Sequence, residues 1–140
     1  MKVVLDTNIY ISYLLASEPK NTISQVFEIC IAKNDIDLLL PQKVIDELYA
    51  SISSSKYLSK HISRRDAYSL LKDIKKASTF IESTAVEQNQ VVNVRDAKDH
   101  YLLDLAITHE ADYLVTGDSD LLIIKQISKL KIVNPYQFIS

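Results

Sequence analysis

Glycine is nearly missing from this sequence. At an ordinary usage of about 7% a chain this long would hold roughly ten; its 140 residues include one, Gly117. A glycine-rich phosphate loop therefore has nowhere to form, which excludes P-loop nucleotide hydrolysis and a Rossmann-type cofactor turn. Cysteine is equally scarce. Cys30 stands alone, so no internal disulfide can form, as expected of a chain in a reducing cytoplasm. Its neighbours Val26, Phe27, Ile29 and Ile31 read as a buried, inert thiol rather than a nucleophile. No Cys-x-x-Cys, His-x-Glu or His-x3–5-His arrangement points to zinc, and His61, His100 and His109 are scattered along polar faces. No apolar run approaches the roughly 20 residues that span a bilayer. The chain opens directly on a strand pattern, with no signal peptide, and the expected location is the cytoplasm. A net charge of −2 argues against a simple basic nucleic-acid coat, but leaves room for charge segregated on one face.

What is present is an ordinary globular composition, 47% hydrophobic and 24% charged, and the length suits one domain, 1–140, with a sizeable core. Residues 2–5 read as a strand and 8–16 as a mostly buried helix. Pro19 and Asn21-Thr22 restart the chain. Ile23, Val26, Phe27, Cys30 and Ile31 recur at helical spacing as far as about Asn34. A strand over 37–40 precedes Pro41, placed to open a helix whose apolar stripe is Val44, Ile45, Leu48 and Ile52. Ser51 to Ser55 reads as a flexible serine-rich break. Ser63 can cap a long helix through Ala77. Residues 91–94 read as a strand, and Asp96, three residues before Asp99, resembles a capping box opening the helix through Ile107. A strand over 113–116 leads into a turn and a helix carrying Leu121, Ile124 and Ile127. A last strand, 131–133, ends at Pro135. Strands alternate with helices throughout, so the fold class is α/β, a largely parallel central sheet flanked by helices.

Two strands end in aspartate. Lys2-Val3-Val4-Leu5 runs into Asp6-Thr7-Asn8, and Tyr113-Leu114-Val115-Thr116 runs into Gly117-Asp118-Ser119-Asp120. The lone glycine sits where a strand delivers carboxylates into a turn, and glycine permits a close backbone approach and positive φ there. A helix N-cap at Asp118 or Ser119 is the alternative reading of that turn. Functional groups of open α/β sheets gather at the carboxyl ends of strands, so the two aspartates are expected at one sheet edge. Crowded carboxylates repel and persist mainly where a cation neutralises them. Further candidates are Asp99, Asp120 and either Asp46 or Glu47, which lie about 100° apart on their helix. An oxygen-only donor set suits hard divalent ions such as Mg²⁺.

A second charge pattern lies between Lys56 and Lys76, where Lys56, Lys60, Arg64, Arg65, Lys72, Lys75 and Lys76 face only Asp66 and Asp73. Such a run is a solvated helix face or a phosphate contact.

Four stretches in order carry a resemblance: Val3-Val4-Leu5-Asp6-Thr7-Asn8-Ile9; Val44-Ile45-Asp46-Glu47-Leu48; Arg95-Asp96-Ala97-Lys98-Asp99 followed by Leu102-Leu103-Asp104-Leu105-Ala106; and Ala111-Asp112 through Leu121-Leu122. Over nearly its whole length the chain resembles the PIN-domain family, and within it is similar to the VapC group of toxins from bacterial and archaeal toxin–antitoxin pairs. The resemblance implies a PIN-like α/β/α fold and an endoribonuclease dependent on Mg²⁺ or Mn²⁺ that leaves 5′-phosphate and 3′-hydroxyl ends. It matches Asp6, Glu47, Asp99 and Asp118 to the family's acidic quartet of metal ligands, with Asp120 as an accessory catalytic acid. It selects Glu47 over Asp46. Asn8 and Thr116 match positions that orient carboxylates or contact phosphate, and Asp104 is expected to be structural. An RNA substrate would make Lys56, Lys60, Arg64 and Arg65 the compensating phosphate contacts, with Tyr57 placed to stack on an unpaired base and Tyr68 expected in the core. A cognate antitoxin and a homodimer are the implied protein partners.

The alternative is a catalytically silent PIN fold that binds RNA or a partner; it would lack one of the four acids, and all four have candidates. A HAD-type phosphatase needs a second aspartate two residues after the first, where Asn8 stands. A phosphorylated receiver domain needs a paired acid cluster near the first strand and a lysine after the last; neither is found.

Overall fold

The computed structural model describes residues 1–15, 21–82 and 97–140, and for residues 97–100 the backbone alone. The strand expected at 91–94 and the cap expected at Asp96 lie outside the described residues. The elements in chain order are β1 (Lys2–Leu5), α1 (Thr7–Leu15), α2 (Thr22–Ala32), β2 (Asp37–Pro41), α3 (Gln42–Ser54), α4 (Lys56–His61), α5 (Arg64–Ala77) and β3 (Ser78–Ile81). They continue with α6 (Ala97–Thr108), β4 (Tyr113–Val115), α7 (Ser119–Leu122), β5 (Gln126–Ile127), β6 (Leu130–Val133) and α8 (Pro135–Ile139).

Among the described residues the strands form one six-stranded sheet in the order β3-β2-β1-β4-β6-β5, parallel except for the terminal β5–β6 hairpin. Helices cover it, so its central strands are apolar on both sides: Val3, Val4 and Leu5 of β1 are fully buried. One rung of the register runs Thr79, Leu39, Val4, Leu114, Ile132, with polarity only on the β3 edge. From β1 the chain steps through α1 and α2 to β2 on one side; from β4 it steps through α7 to β6 on the other. The chain thus leaves β1 and β4 toward opposite edges of the sheet, while α2 and α8 pack against each other. Such diverging connections mark a switch point at the carboxyl ends of β1 and β4, the place where ligands bind in open α/β sheets. This is where Asp6 and Thr116-Gly117-Asp118 lie.

Several local expectations fail, each for a physical reason. Pro41 ends β2 and precedes α3 at φ −74° and ψ 143°, still extended. The serines do not break the chain: α3 continues to Ser54, and Ser55 caps α4 by accepting from the Leu58 N–H at 3.2 Å. The basic stretch is two helices, separated at the buried Ile62, with Ser63 capping α5 through the Asp66 N–H. β3 follows α5 with no intervening turn and shows half-exposed residues, so no alternation announces it. Pro135 does more than end a strand. It opens α8, capped by Asn134 and Gln137, whose Phe138 ring packs edge-on against Tyr113 at 5.6 Å.

The helix expected through Ile124 and Ile127 stops at Leu122, and Ile127 belongs to β5. Lys125 and Ser128, at φ 67° and 55°, turn the chain, as Glu110 does at φ 55°. In a chain with one glycine these left-handed turns fall to residues with side chains, so glycine-based turn signals miss them. Gly117 itself has no positive φ, and a Cβ there would meet nothing within 4 Å. Neither strained backbone nor close packing requires a glycine at that point.

These backbone assignments have opposite consequences from the usual rules. Lys125→Gly is expected to stabilise the protein by about 0.5–1 kcal/mol, since the left-handed region costs an L-residue about 1–2 kcal/mol and the glycine's extra chain entropy offsets part of it. Gly117→Ala is expected to add about 0.4–1 kcal/mol through the unfolded chain. Urea denaturation measures both; a loss of stability in either variant would contradict the assignment.

Candidate active site

Asp6 is the first residue beyond β1. Its N–H donates to the Val115 carbonyl at 2.9 Å, tying the end of β1 to the end of β4. On the neighbouring strand Thr116 is completely buried, and its hydroxyl joins the two strand-end acids. Its Oγ1–H donates to Asp6 Oδ2 at 2.7 Å, and the same oxygen accepts the Asp118 N–H at 3.0 Å. Asp118 is also the N-cap of α7, its Oδ1 accepting from the Asp120 N–H at 2.9 Å. The capping reading and the acid-cluster reading of this turn therefore describe the same side chain.

Glu47 reaches the site from α3. The buried face of that helix carries Val44, Ile45, Leu48 and Ile52, which leaves Glu47 half-buried at its margin and Asp46 exposed. Thr7, buried at the start of α1, donates its hydroxyl proton to Glu47 Oε2 at 3.0 Å, whereas Asp46 accepts from Gln42 within its own helix at 2.8 Å. Glu47 is thus the inward acid.

Asp6 retains only 8% of its exposure. Burial raises its pKa above the usual carboxylate value; hydrogen bonds from Thr116 and the Thr7 backbone oppose the rise, and the charges of Glu47 and Asp118 add to it. The charges of Glu47 and Asp118 thus both reach Asp6 at one sheet edge. Among the described residues no three acids, histidines or cysteines are gathered tightly enough to cage a metal by themselves. The donor set nevertheless has the chemistry of a hard-cation site, oxygen-only and mutually repelling.

Asp99 lies in the first turn of α6; of it, only the backbone is described. The same turn brings Tyr101 to the site. Burial, the Glu47 charge and a hydrogen bond to Glu47 raise the Tyr101 pKa, as does the Asp6 charge, against a hydrogen bond with Thr7. Lys43, in the first turn of α3, holds its ammonium 4.7 Å from the centre of the Tyr101 ring. Sequence reasoning missed Thr7, Tyr101 and Lys43. Each lies within four residues of a candidate acid, but nothing in the pattern gives its direction.

Asp120 joins this cluster through its N–H, which Asp118 Oδ1 accepts. Asn8 is exposed on α1, Asp120 is half-buried in α7, and Asp104, expected to be structural, is buried on α6. Lys56, Lys60, Arg64 and Arg65 are exposed on α4 and α5, with Arg64 Nη2 donating to Ser53 Oγ at 3.0 Å. Tyr57 is exposed and stacked on His61 at 4.2 Å. Tyr68, expected in the core, is 61% exposed, because the inward face of α5 is Ala67, Leu71 and Ile74. Cys30 is buried as expected, its thiol pushed up to about 12 by burial. No helix among the described residues is long and apolar enough to cross a membrane.

The raised pKa of Asp6 fixes a sign. The folded state holds the Asp6 proton more tightly than the unfolded chain, so this contribution to stability is fully present below the ordinary value of 3.8 and is lost as pH rises through the folded pKa. In chelator, Asp6→Asn is expected to flatten the fall in stability above pH 3.8. Thr116→Val, which strips a buried acceptor of its donor, is expected to cost about 1–3 kcal/mol, with Thr116→Ser recovering most of it. Urea melts across the acid-to-neutral range measure both; an unchanged slope in Asp6→Asn would contradict the geometry.

Residues 2–120 match the family model of the PIN domain. A comparison with curated protein sequences returned no match. Similar solved structures include VapBC2 from Rickettsia felis bound to a DNA fragment from their promoter, at 20% identity and a TM-score of 0.62, covering 96% of this chain and 98% of that one. FitAB bound to the IR36 DNA fragment is similar at 18% and 0.59, with coverage of 96% and 95%. The PIN domain of human SMG5 is similar at 15% and 0.52, with coverage of 99% and 96%. At such identities these structures speak to the fold alone, and with the family model spanning most of the sequence, the chain belongs to the PIN-domain family.

Proposed function

We propose that this protein is an endoribonuclease that hydrolyses RNA phosphodiester bonds with Mg²⁺ or Mn²⁺, acting as the toxin of a toxin–antitoxin pair. The observation that carries the reading is the electrostatic convergence of Asp6, Glu47 and Asp118 at the carboxyl ends of β1 and β4. Asp6, Glu47, Asp118 and, from the first turn of α6, Asp99 are the proposed ligands. A divalent ion bound by them supplies Lewis-acid stabilisation of phosphate charge and acidification of water. Thr116 fixes the rotamer of Asp6 and the backbone of Asp118, and Thr7 fixes Glu47. Asp120 or Glu47 takes the proton of the attacking water. Asn8, exposed beside Asp6, contacts phosphate. Hydrolysis in this sense leaves 5′-phosphate and 3′-hydroxyl ends.

Lys56, Lys60, Arg64 and Arg65 are the proposed contacts to backbone phosphate. The pocket is acidic, so RNA needs cations outside it, and these four are exposed on the helices that follow α3. Glu47 lies seven residues before the end of α3, about 10 Å along its axis, which brings that surface within a few nucleotides of the acids. VapBC2 and FitAB are assemblies, and a cognate antitoxin is the partner proposed here, together with a homodimer.

Purified protein incubated with structured and single-stranded RNAs is expected to cleave in Mg²⁺ or Mn²⁺ and to stop in chelator. Asp118→Asn and Asp99→Asn are expected to lower cleavage by at least about 100-fold, beyond the 10–100-fold typical of residues that only orient ligands. Both should lose most of the melting-temperature gain that Mg²⁺ gives the parent by mass action. Asp46→Asn, altering an exposed acid bound within its own helix, is expected to change neither readout. Cleavage that survives chelation would refute the metal mechanism. RNA binding without cleavage on a broad panel would favour a silent PIN fold.

A further inference from the structure

Lys43 and Glu47 are four residues apart on α3, the spacing at which a base and an acid on one helix ordinarily meet. Here they do not pair. Among the described residues Lys43 makes no ion pair, although the acidic pocket lies beside it. Its ammonium rests instead over the Tyr101 ring, 4.7 Å from the centre. The hydroxyl of that ring faces Glu47, whose carboxylate also accepts from Thr7 at 3.0 Å. One tyrosine thus uses its face to hold the cation and its edge to hold the acid.

The arrangement divides two tasks that would otherwise cancel. A Lys43–Glu47 ion pair would occupy the carboxylate and spend the positive charge on it. With the ring beneath the ammonium, Glu47 keeps its charge for the pocket and exposed Lys43 keeps its own for an anion outside it. The contact with the ring is weak and exposed, so an incoming phosphate displaces it readily. The substrate proposed above carries phosphates on both sides of the scissile one, a few ångströms from any group bound at the acids.

We propose that Lys43 binds a phosphate flanking the scissile one, and that Tyr101 is a positioning residue that keeps Lys43 off Glu47 and turns Glu47 into the pocket. The proposal rests on the ribonuclease reading. It assigns separable effects to the two residues, which a merely structural contact would not produce.

The test is steady-state cleavage of a labelled mixed-sequence 20-nucleotide RNA in Mn²⁺ at several salt concentrations, with melting temperatures read with and without Mn²⁺. Lys43→Gln is expected to raise KM several-fold with kcat little changed, the pattern of lost uniform binding. It should also reduce the dependence of log KM on log salt by about 0.7, the value of one phosphate contact on a single strand. Its Mn²⁺-induced melting shift should match the parent's, and Lys43→Arg should stay near the parent throughout. Tyr101→Phe keeps the ring and loses the hydroxyl. It is expected to need several-fold more Mn²⁺ for half-maximal rate and to show a smaller Mn²⁺ melting shift, with the salt dependence of KM unchanged. An unchanged salt dependence in Lys43→Gln, with the parent active, would overturn the phosphate contact while leaving the ribonuclease reading intact. A Tyr101→Phe variant with the parent's Mn²⁺ requirement and melting shift would overturn the positioning role. A parent that cleaves no RNA in Mn²⁺ would bring down the ribonuclease reading and this inference with it.

Discussion

The hydroxyl of Thr116 joins two acids that would otherwise repel. Buried between the ends of β1 and β4, it gives its proton to Asp6 and accepts the backbone N–H of Asp118. A carboxylate buried as deeply as Asp6 is costly unless donors satisfy it, and the threonine is the side-chain donor that lowers its pKa. A hydroxyl does both jobs with one atom, which threonine and serine share: valine matches the shape of threonine but neither donates nor accepts, and alanine leaves a gap. The geometry in turn requires adjacent parallel strands in fixed register, with Leu5 opposite Val115 so that Asp6 and Thr116 follow side by side. The apolar sheet core supplies that register. A one-residue slip would move every buried side chain to the other face.

Charge is arranged here by segregation. The near-neutral total conceals an acidic crevice at one sheet edge and a basic, tyrosine-bearing surface on α4 and α5. Glu47 belongs to the same helix that leads to the basic surface, so α3 links the two regions. A crevice of repelling carboxylates is less stable than the same crevice with its charge neutralised, as a divalent cation would neutralise it, even though Asp118 also caps α7. Stability given up at a site in this way is a common accompaniment of function.

The strand-plus-aspartate pattern made the centre of the fold legible, because a buried parallel strand reads as an apolar run and its carboxyl end is where the chain turns polar. Asp6 and Asp118 could be paired from that alone. Glu47 and Asp46 could not be separated by helix geometry; a donor 40 residues away, Thr7, makes the distinction. Long-range partners of this kind also hid Tyr101 and Lys43. The hairpin at Lys125 and Ser128 was hidden for a different reason, since its left-handed residues are not glycine and its isoleucines keep a helical spacing. Edge strand β3, half-exposed and fused to α5, carries no periodicity to read. Gly117 was conspicuous in the sequence, yet neither its φ nor its surroundings require a glycine.

The central claim is that the edge bearing Asp6, Glu47 and Asp118 exists to hold a divalent cation. Anomalous diffraction from crystals equilibrated with Mn²⁺ tests it without reference to any substrate. The expected result is a peak within about 2.5 Å of carboxylate oxygens of Asp6 and Asp118, at the bond lengths hard cations adopt. Saturating Mn²⁺ that leaves this edge empty, or that binds only elsewhere on the surface, would contradict the account.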